Sequence, residues 1–573
     1  MSVVRAPAAK RVLYIGPSAE QGRAFCASIG AAEGVTRVSP DGKTLAWSDI
    51  VCTFLVEERA VGLVDELAKS YVNLLVLDLR GDTASERENA TRAMAVLDEL
   101  DAPEDVEVRY GFHRILALVS GTSAFSDRIV LELGARGVGR VIRHAAYETS
   151  TTVDPSFGAR FVDEATVALN DRKLGKRALC AAGGGITGIF FELGVMKCLD
   201  DALDQGGVNG FEMFFGISAG AVVTGPIAVG YSVDEYMAAV AGVPGGRVPA
   251  LDLRLFRLGH VDVPGFVRRF GMAARAAFGS VARPLLGKGR ELSREQVLFG
   301  YLDLVAPPFR ADKFEELLRG ILDAPGGTND FRKLARPLFV GATDQDARRH
   351  VLFGDEEHAD IPISQAIQAS LSINPAFSAT SIRGRYYEDG AITRTTNFAE
   401  AIRRGATLIF VVDPFLPYVA RTPGYNDRRG ILYNIDQDVR TISYTRYESS
   451  RNHVLRKHPE VKSYTFVPAN RQRRLISQNP MDHRPYLEIW RGAYLSTYNR
   501  LVHLRPRLEG DLRAHGVGLD LSRAEAVAER LKASRELSLS DFFPDGKIAI
   551  RTPPLVGHGQ RRTVEPPRVA VQL

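Results

Sequence analysis

The first 144 positions alternate between apolar blocks and mixed polar stretches. Arg11-Val12-Leu13-Tyr14-Ile15-Gly16, Leu74-Leu75-Val76-Leu77-Asp78-Leu79 and Ile115-Leu116-Ala117-Leu118-Val119-Ser120 are short continuous apolar runs, and Val138-Gly139-Arg140-Val141-Ile142 is a fourth. Between them, 60–69 and 86–100 are patterned as helices. Continuous apolar strands that alternate with helices predict a parallel sheet covered on both faces. The pattern resumes at Leu179-Cys180-Ala181-Ala182, which enters a glycine-rich turn and then a helix-like stretch at 189–196. A second run, Phe211-Glu212-Met213-Phe214-Phe215, leads into Gly216-Ile217-Ser218-Ala219-Gly220 and the apolar Ala221-Val222-Val223. Thr407-Leu408-Ile409-Phe410-Val411-Val412-Asp413 reads as a further strand. From about 421 the chain turns basic and aromatic, with helices predicted at 487–504 and 522–535 and a disordered tail after Pro553.

Three of these junctions carry candidate chemistry. Ser218 lies in a G-x-S-x-G turn between a strand and a helix, which pushes its hydroxyl out of the bend and aims the next helix's free N–H groups toward it. The pentapeptide alone more often marks a plain strand-to-helix turn. Upstream, Gly183-Gly184-Gly185-Ile186-Thr187-Gly188 frees backbone N–H groups to converge on an anion, either a phosphate or an acyl-transfer oxyanion. No Gly-Lys-Ser/Thr follows, so it is not a Walker loop, and no clear acidic strand end about 20 residues on supports a dinucleotide loop. Downstream, Tyr386-Tyr387-Glu388-Asp389-Gly390-Ala391 reads in isolation as an Asp-Gly turn.

In this order, the three elements resemble the patatin-like phospholipase family, over about 177–414. The resemblance implies a three-layer α/β/α hydrolase with Ser218 as nucleophile, Asp389 as its base and Gly183, Gly184, Gly185 and Gly188 as the oxyanion loop. It implies a serine-dependent lipid acyl hydrolase, of phospholipase A type or a related carboxylic-ester hydrolase, with a lipid or acyl-ester substrate and no cofactor or metal. Where the family usually has Arg or Lys before the last loop glycine, this chain has Thr187. That removes a cation from the loop and loosens any preference for phospholipid over other esters. A carboxylate can take the serine proton directly when partly desolvated. The alternative base is a histidine in a Ser-Asp-His triad, with His453, His458, His483 and His503 as candidates. The rival in another class is a non-catalytic regulatory or docking protein on the same scaffold.

The N-terminal pattern resembles a response-regulator receiver, a flavodoxin-like α/β fold, so the fold class is α/β with two such domains in series. Asp78 stands at the strand end where a receiver has its phospho-acceptor, and Ser120 ends the next strand. The acidic pair after the first strand is replaced by Gly16-Pro17-Ser18, and Arg143 replaces the usual lysine. Magnesium needs several carboxylate oxygens, so the domain reads as a degenerate receiver that works as a docking or self-association module. The expected domains are 1–150, 175–420 with an insertion at 243–330, and a basic, mainly helical extension at 421–573. Within the insertion, 266–278 has arginines at helical spacing among apolar residues, which suits either a packing helix or an interfacial lid.

Composition adds little further. The chain has 573 residues, 73 Lys+Arg against 68 Asp+Glu and a formal net charge of +5, too small to point to a specific nucleic-acid partner. Cys26, Cys52, Cys180 and Cys198 form no C-x-x-C pair, so neither a zinc site nor a disulfide framework is expected. The first residues carry no long apolar segment, and no uncharged apolar run reaches about 18 residues. These features predict a soluble cytoplasmic protein whose membrane contact, if any, is peripheral.

Overall fold

The computed structural model describes residues 10–48, 50–57, 67, 71–81, 83–101, 110–121, 124–145, 152–170, 174–204, 206–243, 247–251, 311–374, 376–458, 460–480, 482–543, 547–549 and 570–572, and, inside 252–310, residues 267–268, 270–272, 274–275 and 278. The chain divides into two compact units: 1–174 with 456–462 and 503–514, and 175–455 with 463–502 and 515–573.

The first unit is built on seven strands: β1 (Lys10–Ile15), β2 (Thr36–Arg37), β3 (Thr44–Trp47), β4 (Ile50–Glu57), β5 (Leu74–Asp78), β6 (Ile115–Val119) and β7 (Arg140–Arg143). They lie in the order β2-β3-β4-β1-β5-β6-β7. β4, β1, β5, β6 and β7 are parallel, and β2 and β3 add an antiparallel hairpin at the β4 edge. Counted in chain order, the parallel strands follow the doubly wound, flavodoxin-like order. Helices α1 (Ala19–Gly30), α2 (Thr83–Asp101), α3 (Ala124–Ala135) and α4 (Pro155–Asn170) cover the two faces. Because strand side chains alternate, Leu13, Ile15, Leu75 and Leu77 pack with Val96, Leu97, Ile129 and Leu133 from α2 and α3. Val12, Tyr14, Leu74 and Val76 pack on the other side with Phe25, Ile29, Phe157 and Phe161 from α1 and α4. The sequence reading marks no strand at β4, although Ile50-Val51-Cys52-Thr53-Phe54-Leu55-Val56 is apolar and β-branched. The helix expected at 60–69 lies outside the described residues except for Leu67.

The main sheet of the second unit has eight strands among the described residues: β8 (Lys176–Ala181), β9 (Met213–Ile217), β10 (Leu338–Asp344), β11 (Arg349–Phe353), β12 (Thr380–Ile382), β13 (Arg385–Asp389), β14 (Ala406–Val412) and β15 (Lys462–Phe466). Their order is β12-β13-β10-β9-β8-β14-β15, with β11 also on β10. β14, β8, β9 and β10 form a parallel centre. β11, β12 and β13 are antiparallel additions at the β10 side. Every residue of β9 and β10 is buried, as expected of strands covered by helices on both faces.

The helices of this unit are α5 (Gly185–Ala202), α6 (Ala219–Val229), α7 (Val233–Val240), α8 (Asp312–Leu322), α9 (Ile363–Leu371), α10 (Phe398–Arg403), α11 (Ile431–Lys457), α12 (Asn470–Gln478), α13 (Tyr486–Ala514) and α14 (Ser522–Ala533). The last residues of α13, from His503, group with the first unit. Trp490 of α13 is fully buried and meets Phe190, Tyr486 and Phe542 edge-on or tilted at 5.0–6.3 Å between ring centroids. Beside it, buried Lys197 pairs with Asp201 and Asp234, and Tyr494 and Arg523 bond to Asp201. The basic C-terminal stretch is therefore packed into the unit that carries the site residues described below.

Most of the expected insertion lies outside the described residues. Its described members around 267–278 are helical, with Val267, Phe270, Met272 and Phe278 exposed. The tail after Pro553, expected to be disordered, is described only at 570–572, which pairs antiparallel with 547–549 as a short two-stranded sheet. Among the described residues, no helix is long and apolar enough to cross a membrane. All four cysteines are free and buried.

Candidate active site

The parallel centre of the second unit ends in two adjacent strand-to-helix turns. β8 leads through Ala182, Gly183 and Gly184 into α5, and β9 leads through Ser218 into α6. Ser218 has φ 53 and ψ −120, a strained backbone for a residue with a Cβ, and it alone carries the bend. The flanking glycines serve close packing instead. A Cβ on Gly216 would fall 2.4 Å from the Ala221 Cα, and one on Gly220 would fall 2.4 Å from the Ala181 carbonyl. The Gly220 N–H donates to the Ala182 carbonyl at 2.9 Å, which ties the serine turn to the glycine loop. The Ser218 N–H donates to the Ser370 hydroxyl at 2.7 Å, and Ser370 donates to the Gly341 carbonyl at 2.6 Å. The sequence reading gives Ser370 no role; only its place ahead of the Asp-Gly turn hints at one.

Asp389 arrives from the other side, at the end of β13, paired with Ala342 of β10. Its N–H donates to the Ser372 carbonyl at 3.0 Å, and its own carbonyl accepts from the Thr343 hydroxyl at 3.0 Å. Behind the turn, Thr343 meets Thr393, and Thr393 meets Nδ1 of His350, whose Nε2 faces Asn397. Burial pushes His350 down to about 4, so it stays neutral and holds this chain of hydroxyls. Gly390 must be glycine because a Cβ there would fall 2.3 Å from the Gly341 carbonyl oxygen. The Asp389 carboxylate is 2 % exposed. It accepts from the Ala391 N–H at 2.8 Å, and the Ser218 side chain lies close enough to favour its charged form. Burial pushes its pKa up to about 6; the Ser218 and Ala391 donors pull against that, and nearby Glu388 adds to it.

The glycine loop closes the third side. A Cβ on Gly183 would lie 3.3 Å from the Ser218 Cβ and 3.6 Å from that of Ala391, so the three motifs meet at one point. Gly185 has φ +67, and a Cβ there would fall 2.7 Å from the Pro480 carbonyl oxygen. Gly184 is extended, and its Cβ would meet Pro414 and Gly188. Gly188 already donates its N–H to the Gly184 carbonyl at 3.0 Å, so its place is one of packing against Pro414 and Ala219.

Thr187 is fully buried. Its N–H donates to the Pro480 carbonyl, just past α12, and its hydroxyl donates to the Ile476 carbonyl within α12. An arginine or lysine at that position would bury a charge against two carbonyls that threonine satisfies. Beneath the loop, Glu192 and Asp413 are fully buried, and burial raises both, Asp413 to about 6.

None of the remaining sequence candidates makes a bond to this cluster among the described residues. Among the described residues, no histidine bonds to Ser218 or Asp389; His458 pairs with Glu460. In the first unit, Asp78 ends β5 with both carboxylate oxygens engaged. Tyr14 donates to Oδ2 at 2.7 Å, and the Arg80 guanidinium spans both oxygens at 2.9 and 2.6 Å. The Arg80 N–H adds a bond to Oδ1 at 3.0 Å. Ser120 exchanges hydrogen bonds with Gly81.

With this geometry in view, residues 179–402 match the family model described as Patatin-like phospholipase, a span that holds the glycine loop, Ser218 and Asp389. No curated protein matches the chain. Among solved structures, VipD from Legionella pneumophila is similar at 14 % identity and TM-score 0.25, over 62 % of this chain and 75 % of that one. The type III effector protein ExoU is similar at 14 % identity and TM-score 0.21, over 65 % of this chain and 68 % of that one. At those scores neither likeness bears on what this chain does.

Proposed function

We propose that the second unit is a serine acyl hydrolase acting on lipid or related carboxylic esters, with Ser218 and Asp389 as a dyad. The observation that carries this reading is the position of the Asp389 carboxylate: buried, beside Ser218, with its pKa pushed up to about 6. A carboxylate of that kind is largely ionised at neutral pH, yet basic enough to accept a hydroxyl proton. Ser218 Oγ attacks the ester carbonyl while its proton passes to Asp389. The carbonyl oxygen becomes an oxyanion held by backbone N–H groups of the glycine loop and the start of α6. The tetrahedral intermediate collapses, and the alcohol leaves with the proton from Asp389. Water then attacks the acyl-serine, gives its proton to Asp389, and releases the acid and the free serine. No step needs a metal or an organic cofactor.

Support for a lipid substrate comes from the family match over 179–402. The test is hydrolysis of a soluble short-chain ester by the wild type, Ser218→Ala, Asp389→Asn and the double variant. Turnover in the wild type and loss in each variant, with little further loss in the double, is expected of residues that act as a unit. Near-normal turnover in Asp389→Asn would overturn the dyad.

A further inference from the structure

Helix α11 buries one side and carries an aliphatic stripe along its exposed side, flanked by exposed Asp438, Thr441 and Thr445. Arg440, Ser443 and Tyr447 face inward, with the Arg440 guanidinium 4.4 Å from the Phe415 ring centroid. On the outer side Ile431, Ile435, Val439 and Ile442 are 74 %, 49 %, 43 % and 64 % exposed. Their spacing of four, four and three residues holds them within about 80° of one helix face, along about 16 Å. The same face next reaches Arg446, which donates to the Ala391 and Ile392 carbonyls at 2.8 and 3.0 Å. Ile392 is itself 40 % exposed. The stripe thus runs to the turn that presents Asp389.

At its other end stand Arg421, Arg428 and Arg429, all exposed, with Asp427 among them. The Arg429 guanidinium lies 4.7 Å from the Tyr425 ring centroid and 5.5 Å from that of Tyr433. Aliphatic side chains in a row, bounded by tyrosines and arginines, have the make-up of a segment that enters the acyl boundary while its cations stay among headgroups. A coiled-coil seam is marked by apolar positions sustained over about three heptads or more, and this stripe covers fewer than two.

We propose that the outer face of α11 docks the protein on a lipid surface containing anionic lipid, on the side of the turn that presents Asp389. This rests on the hydrolase reading for its purpose, since docking there would bring that turn close to a lipid substrate, but not for its physical basis. The experiment compares wild type, Ile435→Ser/Ile442→Ser and Arg428→Glu/Arg429→Glu. It measures co-sedimentation with vesicles of phosphatidylcholine alone or mixed with phosphatidylglycerol, and hydrolysis of a soluble short-chain ester.

The isoleucine variant should bind mixed vesicles at least about 10-fold more weakly while its soluble-ester rate is unchanged, a rate that also reports an intact fold. The arginine variant should lose the preference for mixed over neutral vesicles. Wild-type binding by the isoleucine variant, or no binding by wild type, would overturn the proposal. So would a concentration-dependent dimer that the isoleucine exchange dissociates without changing vesicle binding, because the face would then belong to a second copy. Vesicle binding through this face by a protein without esterase activity would uphold the docking surface and remove the hydrolase reading instead.

Discussion

Asp78 and Asp389 are both buried aspartates at the end of a strand in an α/β unit, and their surroundings make opposite use of the same carboxyl group. Around Asp78 the protein has supplied a full complement of donors: the Tyr14 hydroxyl, the Arg80 guanidinium across both oxygens, and the Arg80 N–H. The charge is neutralised on site, and no lone pair is left facing a reactant. Around Asp389 there is one backbone donor from Ala391, the Ser218 side chain, and a neighbouring acid, Glu388, with burial as the largest influence. A carboxylate stripped of partners keeps its appetite for a proton. One of these aspartates is held as an anchor, and the other is held as a base.

The sharpest way to break this contrast is to remove each charge without changing shape. Asp389→Asn or Ser218→Ala should lower ester turnover on the order of 10⁴-fold, measured as initial rates on a soluble ester. Asp78→Asn should leave turnover unchanged and cost about 3–5 kcal/mol of stability in denaturant unfolding, because it removes the carboxylate that spans the buried Arg80 guanidinium. Asp389→Asn should move stability the other way. Its folded pKa, about 6, lies above the 3.8 of an ordinary aspartate. The favourable contribution is therefore complete below about pH 4 and is lost as pH rises through 6, a difference of about 3 kcal/mol at neutral pH. A neutral side chain escapes that loss, so the inactive variant should unfold at higher denaturant near pH 7. Equal stability changes of the same sign in the two variants would erase the distinction.

Smaller effects sharpen the site further. Gly185→Ala places a Cβ on a residue at φ +67, against the Pro480 carbonyl. Turnover should fall about 100-fold, as when one oxyanion donor is displaced, with the fold retained by circular dichroism. In the wild type, kcat/KM should fall about tenfold per pH unit below about 6, as Asp389 takes up a proton, and level off above. A profile governed instead by a group near the ordinary histidine value, abolished by exchange of His453 or His458, would favour a triad. The smallest expected signal is on the first unit. The full-length protein incubated with acetyl phosphate and magnesium should gain no phosphate, because Asp78 has no free oxygen and no second acid follows β1. An adduct that vanishes in Asp78→Asn would restore a phospho-switch.

Most strands of the parallel centres were legible because buried parallel strands are continuous apolar runs: β1, β5, β6, β7, β8, β9 and β14 overlap the blocks read from sequence, whereas β4 and β10, equally central, were not read. The edge hairpin β2–β3 and the helix α11 were not. β2 and β3 are short and take their order from β4. In α11 the buried side carries arginine and tyrosine while the aliphatic stripe faces outward, so the segment reads as basic and aromatic rather than as a helix packed by an apolar side. The serine and aspartate were legible from flanking glycines, but the reason for those glycines was not. The bend belongs to Ser218 itself, and Gly216, Gly220 and Gly390 make room for Ala221, Ala181 and Gly341. The support given by Ser370, Thr343 and the Thr187–Pro480 contact is long-range, and no local spacing could have announced it.

The central claim is that Ser218 is a nucleophile made reactive by its place beside Asp389. It is tested most directly by exposing the full-length protein to a fluorophosphonate and locating the adduct by peptide mass spectrometry. The account predicts a single adduct on Ser218, none in Ser218→Ala, and strongly slowed labelling in Asp389→Asn. An adduct elsewhere that persists in Ser218→Ala, or a wild type that stays unlabelled, would contradict it.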